Sequence, residues 1–243
     1  MKKNYKLKLG LALLVLLITQ QGVLFDLLNR EQGEVYKNLN CISFFENSLI
    51  TMNTLSETYM SFLVIVIMIM CYGNYIYQDL EISSVYYFTR NPSIIKWFIK
   101  RSLSMLIYCL TFVLLYFAPY MTVCAILTNT PLNGLLIYDL IRYVSAFCLY
   151  GYFLCTIMNY IALYFGAIKS ALLSNLIHVI VIIATFVLRN NGLSYVMSFS
   201  KYTSLQFIAV ISILALLNIM LSIVHCKKIK SSDIGLLYSE DII

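Results

Sequence analysis

Residues 102–138 read SLSMLIYCLTFVLLYFAPYMTVCAILTNTPLNGLLIY, 37 residues without one charged side chain. About 20 apolar residues of helix cross the hydrocarbon of a bilayer, so this stretch belongs in lipid. It is too long for one crossing and too short for two with an ordinary turn. Two signals divide it. Pro119 lies inside it, and Asn129-Thr130-Pro131-Leu132-Asn133-Gly134 has the composition of a turn. A helix is therefore expected to end or kink near Ala118, with residues 120–127 either prolonging it or dipping back as a re-entrant segment.

Uncharged windows recur on both sides of this stretch, at 9–25, 58–78, 143–168, 170–188 and 202–224. Together they predict an all-α integral membrane protein, a six-helix bundle with spans at 9–28, 58–77, 96–118, 138–166, 170–188 and 203–225. The composition agrees. Of 243 residues 61% are hydrophobic and 12% charged, about half the charge that a soluble domain carries. The length suits one membrane domain with short loops and leaves no room for a soluble catalytic domain. No repeat or low-complexity linker divides it.

The net charge of +6 does not point to nucleic acid, because the charges sit at the ends of apolar runs and form no basic stripe. The seven cysteines include no CxxC pair, and only Cys41 lies clearly in a loop. The others read as small hydrophobes, so neither a disulfide framework nor a metal site is expected. Lys2, Lys3, Lys6 and Lys8 ahead of an apolar stretch resemble a signal peptide. The stretch is long for a signal core and lacks an A-x-A-type cleavage site, so it is read as a retained first span.

Lys and Arg in the loops set orientation. With the N-terminus inside, the inner segments hold twelve basic residues: the four N-terminal lysines, Arg90, Lys96, Lys100, Arg101, Lys169, Lys227, Lys228 and Lys230. The outer side holds five: Arg30, Lys37, Arg142, Arg189 and Lys201. A multi-pass protein of the cell membrane with both termini cytoplasmic is the expectation. The outer loop 29–57 carries Glu31, Glu34, Glu46 and Glu57, and its apolar Ile42-Ser43-Phe44-Phe45 can rest on the membrane surface.

Between spans two and three the chain reads QDLEISSVYYFTRNPSIIKWFIKR, residues 78–101. Residues 79–88 can form a short helix with Asp79 and Glu81 in its first turn, which suits the helix dipole. Asn91-Pro92 is a restart signal, Asn as cap and Pro in the first position. Lys96, Trp97, Lys100 and Arg101 then fall where basic and Trp side chains anchor a helix at the membrane surface.

This segment resembles that of the small six-span permeases of ABC exporters, the type-2 permease superfamily that includes members of bacteriocin and lantibiotic export or immunity systems. The likeness rests on an acidic residue, then Tyr86-Tyr87-Phe88-Thr89-Arg90-Asn91-Pro92-Ser93, then Lys96-Trp97-Phe98-Ile99-Lys100-Arg101 leading into a span. The topology match covers nearly the whole chain, the motif only the connector just quoted. Lys96 stands where many members have a second Arg. The resemblance implies that Glu81, Val85, Tyr86, Tyr87, Phe88 and Arg90 belong to a cytoplasmic coupling helix that docks on an ABC ATPase subunit. It implies that residues 1–9 form an interfacial helix meeting the same partner. It also implies a second permease subunit, identical or not, an amphipathic peptide or lipid-like cargo, and ATP and Mg held by the ATPase with no cofactor in this chain. The competing reading is a mere anchor, since any basic connector beside a span satisfies the positive-inside rule.

No Walker sequence, G-x-S-x-G or H-E-x-x-H occurs, so nucleotide, serine-hydrolase and zincin chemistries have no support in this chain. His178 and Asn175 form a candidate intramembrane polar site, because ionisable residues within spans are functional candidates by default. The simpler reading of His178 is a neutral imidazole hydrogen-bonded to a neighbouring helix. Asn74, Asn159, Asn175 and Asn218 read first as interhelical hydrogen-bond partners. Asp139 and Arg142, an i,i+3 pair, can neutralise each other at the outer surface. The tyrosines form an aromatic belt. Ser174 with His178 is the only pair near nucleophile and base geometry, and no oxyanion partner is visible. The competing functions are a nucleotide-independent six-span substrate-binding or immunity protein and an intramembrane hydrolase.

Overall fold

A computed structural model describes residue 10 and residues 59–81, 93–127, 134–189 and 204–231. The expected first span, the outer loop and the centre of the connector lie outside the described residues. All regular structure among the described residues is helical: α1 (Tyr59–Tyr72), α2 (Ile94–Leu127), α3 (Gly134–Arg189) and α4 (Ser204–Ser231). Helices long and apolar enough to cross a membrane run at Leu63–Glu81, Ile94–Phe117, Val144–Ala184 and Leu205–Lys230. The chain is an α-helical membrane protein.

The longest helix, α3, is in fact two. Straight, it would reach about 84 Å, nearly three hydrocarbon thicknesses. Gly166 interrupts it with φ 73° and ψ 174°, a backbone region open essentially to glycine alone. Beyond it the chain folds back. Ser174 Oγ donates to the Leu154 carbonyl at 3.2 Å, and Tyr150 Oη lies 2.9 Å from His178 Nδ1. Both pairs centre on residue 164, as in an antiparallel hairpin. The two arms, before and after Gly166, correspond closely to the expected spans at 138–166 and 170–188. One residue makes the turn.

Two other boundaries differ from expectation. The helical backbone of α2 continues through Pro119 to Leu127, past the expected end of the span at residue 118 and in the prolonged form of the two alternatives for residues 120–127. Proline removes one ladder hydrogen bond, and membrane helices tolerate that loss. The expected second span at 58–77 breaks at residues 73–74, and helix resumes over 75–81. Gly73 N still donates to Ile69 O at 2.7 Å, and Gln78 N reopens the ladder on Asn74 O at 2.9 Å.

α3 is the hub, packing along each of the other three helices, while α1 with α2 and α2 with α4 touch over shorter stretches. The core holds Ile65, Met68, Ile69 and Ile76 from the second span, Met105, Phe112 and Tyr116 from α2, and Phe147, Leu154 and Cys155 from α3. A Cβ on Gly151 would run into the Met68 side chain, so this glycine lets α1 and α3 approach closely. The outward face of α4, with Leu205, Ile208, Leu216 and Met220, is the most exposed apolar surface among the described residues. Lipid is its natural solvent. The five described cysteines are free thiols.

Candidate functional site

Three contacts bring one end of every described helix together. The Phe98 and His225 rings meet edge to face at 5.1 Å, which places the start of α2 beside the end of α4. Lys228 Nζ lies 4.9 Å above the Tyr164 ring, which places the end of α4 at the Gly166 turn. Arg101 reaches Asp79, which brings the 75–81 helix to the same end. This end therefore gathers Asp79, Glu81, Lys96, Lys100, Arg101, Lys169, Lys227, Lys228 and Lys230. At the other end Arg142 lies against the rings of Phe207 (4.8 Å) and Tyr138 (5.7 Å). The Asp139 side chain lies outside the described residues.

The connector leaves from the basic end, and its two roots are clasped. Arg101 Nε lies 2.7 Å from Asp79 Oδ2, a charge contact out of hydrogen-bonding alignment. Trp97 Nε1 donates to the same oxygen at 3.2 Å, and Arg101 Nη1 donates to Tyr75 Oη at 3.3 Å. The Asp79 and Arg101 side chains are 18% and 31% exposed, so water screens the pair only in part. Trp97, expected as a surface anchor, is 2% exposed and points inward. The described part of its helix begins at Ile94, with Ser93 O accepting from Trp97 N; the expected Asn91-Pro92 restart lies outside the described residues. Lys96 and Lys100 are exposed, as is Glu81. Val85, Tyr86, Tyr87, Phe88 and Arg90 lie outside the described residues.

Asn159 holds the broken second span. Its Oδ1 accepts from both Ile76 N and Tyr77 N at 2.9 Å. It thereby acts as an N-cap supplied from another helix, because restarting a helix leaves its first N–H groups without ladder partners. Its Nδ2 donates to Cys155 O at 2.8 Å and contacts Met105 Sδ at 3.4 Å. One buried carboxamide thus ties the second span, α2 and α3 together.

Further into the bundle, the second arm of α3 buries Ser170, Ser174 and His178 at four-residue spacing, a polar line facing the first arm. Ser174 is directed to the Leu154 carbonyl and His178 to Tyr150, so the hydroxyl and imidazole each engage the opposite arm. Asn175 is half-buried beside this line, its Nδ2 on its own Ala171 carbonyl at 2.9 Å. Asn218 Nδ2 donates to Leu149 O at 3.1 Å, joining α4 to α3. Chemically, this arrangement fastens helices in lipid.

The sequence reading gave Asp79 a first-turn role, Tyr75 a place in the aromatic belt and Asn159 an interhelical hydrogen bond, but did not bring Asp79 and Tyr75 to Arg101. A readable signal existed for one pair: an acid just before and a base just after a short connector between antiparallel helices face each other. For Asn159 the interhelical role was readable, an amide within an apolar span, but its partners Ile76 and Tyr77 were not, because they belong to a different span.

No protein-family model, no curated protein and no solved structure matches the chain.

Proposed function

We propose that this chain is the membrane-spanning subunit of an ATP-driven exporter, working as a pair of permease subunits with cytoplasmic ATPase subunits. In this reading there are six spans, the five described helical arms plus residues 9–28. Both termini and the basic end face the cytoplasm, in keeping with the positive-inside rule. The observation that carries the proposal is the clasp of Asp79 with Trp97 and Arg101. It fixes both roots of the segment that resembles a coupling helix. A connector that merely anchors needs no such stiffness. A connector that transmits force does.

The ATPase subunit, which binds ATP and Mg, would grip the apolar and aromatic residues Val85, Tyr86, Tyr87 and Phe88. Movement of that grip reaches the bundle by two routes. Arg101 and Trp97 carry it into α2, and the 75–81 helix carries it to the break at residues 73–74, where Asn159 holds α3. The two antiparallel arms and α4 would then rearrange around an amphipathic peptide or lipid-like cargo. Only the site argues this, because fold by itself does not imply function.

The test replaces Tyr86 and Tyr87 together by Ala. Membrane insertion should be intact, while co-purification with the ATPase weakens by about thirtyfold, the effect of losing roughly 2 kcal/mol of buried aromatic contact. ATP hydrolysis should lose its dependence on transport. A double variant that binds the ATPase and transports like the parent makes the connector an anchor and leaves a nucleotide-independent binding or immunity protein as the better reading.

A further inference from the structure

Among the described residues, seven basic side chains meet two acidic ones at the basic end, and Arg101 is already engaged with Asp79. The remaining six are lysines: Lys96, Lys100, Lys169, Lys227, Lys228 and Lys230. Lys96, Lys100, Lys169, Lys227 and Lys230 are exposed, and Lys228 is half-buried over Tyr164. They come from three separate stretches of chain, so the fold assembles them. Their neighbours decide what kind of anion fits. Ile99 (59% exposed), Ile168 (80%), Leu172 (68%) and Ile223 (50%) lie within one or two turns of these lysines and open to the same surroundings. In a bilayer this apolar collar lies against acyl chains, which brings lipid headgroups within reach of the ammonium groups. A molecule with a phosphate head and hydrocarbon chains satisfies both.

We propose that the basic end is a binding surface for anionic phospholipid, with phosphate oxygens on the lysine ammonium groups and acyl chains along the exposed faces of α2, α4 and the second arm of α3. The phosphodiester is negative throughout the physiological range, and ammonium donors bind it as point charges. The Tyr160 and Tyr164 hydroxyls, 3.3 Å apart beneath Lys228, sit at headgroup depth, where tyrosine is favoured. The inference rests on the arrangement of the helices and not on the exporter reading, so it holds or fails whether or not an ATPase partner exists.

The experiment is native mass spectrometry of the full chain, extracted from vesicles of equal phosphatidylglycerol and phosphatidylcholine. The parent should retain phosphatidylglycerol over phosphatidylcholine by at least about fivefold, the weight of one surface lysine on an anionic headgroup. Replacing Lys227, Lys228 and Lys230 together by Gln should abolish most of that preference. The same triple change to Arg, and Arg142→Gln at the opposite end, should preserve it. Raising salt should shrink the preference, since the exposed part of the attraction is screened. Equal retention of the two lipids by the parent overturns the proposal without any variant. So does displacement of phosphatidylglycerol by millimolar inorganic phosphate, which would mark a free-phosphate site.

Discussion

Asn159→Leu should loosen the second span more than any other single change of similar volume. The leucine fills the space but accepts nothing, which strands the N–H groups of Ile76 and Tyr77. A buried N–H left without a partner costs about 1–3 kcal/mol. Interhelical hydrogen bonds in membrane proteins average only about 0.6 kcal/mol in double-mutant cycles, because the reference state also finds partners. For two N–H groups these limits bracket the loss between about 1 and 6 kcal/mol. Part can be recovered if the break at residues 73–74 closes and the ladder heals. Closing it would swing the 75–81 helix and pull Asp79 off Arg101, so the recovery is incomplete. A net loss of about 2–3 kcal/mol is expected. Asn159→Asp, held protonated by its burial, keeps an acceptor oxygen and an O–H for the Cys155 carbonyl, and should lose roughly half as much. Unfolding in mixed detergent micelles, followed by Trp97 fluorescence, measures the loss, and amide exchange at residues 76 and 77 localises it. A leucine variant as stable as the parent, with unchanged exchange at both amides, would refute the capping argument.

Three more outcomes follow from the same geometry. Trp97 is the only tryptophan and is buried against Asp79, so its emission should resist both acrylamide and brominated lipid. Asp79→Leu should open it to quenching at a cost of about 1–2 kcal/mol, between the values for exposed and buried ion pairs. Gly166→Ala should destabilise the hairpin by about 1–3 kcal/mol through backbone strain alone, since a Cβ there meets nothing within 4 Å; its unfolding midpoint compared with that of Ala167→Gly separates strain from helix propensity. His178→Gln should keep folding and most activity, because the amide still reaches Tyr150; loss of function at normal membrane levels would show that the imidazole does more than fasten the arms.

Much of this fold was legible in the sequence because lipid imposes a simple rule. Charge must leave the hydrocarbon, so charged residues mark where helices end, and Lys169 located the hairpin turn close to Gly166. Most of what stayed hidden depends on distant partners. The break at residues 73–74 falls on Gly73-Asn74, two poor helix formers whose signal was overlooked inside the uncharged run from Thr58 to Gln78. Asn159 read as an interhelical hydrogen-bond partner, but nothing local tied it to this break, far away along the chain. Asp79 read as a first-turn acid of a new helix and Trp97 as a surface anchor. Each reading was sound for an isolated segment, and each changed once the two roots of the connector were brought face to face. Pro119 left two courses open, a helix prolonged or one turned back, and the structure takes the first. A proline is a strong breaker where water competes for the backbone, and lipid removes that competition.

The most direct test of the central claim is a photoreactive amino acid at position 86, activated in native membranes, with the adduct identified by mass spectrometry. A force-transmitting connector predicts one dominant adduct with a Walker-motif ATPase, retained when ATP is bound and lost when the Asp79–Arg101 clasp is removed by Asp79→Leu. Adducts to lipid alone, in wild type and variant alike, would contradict it.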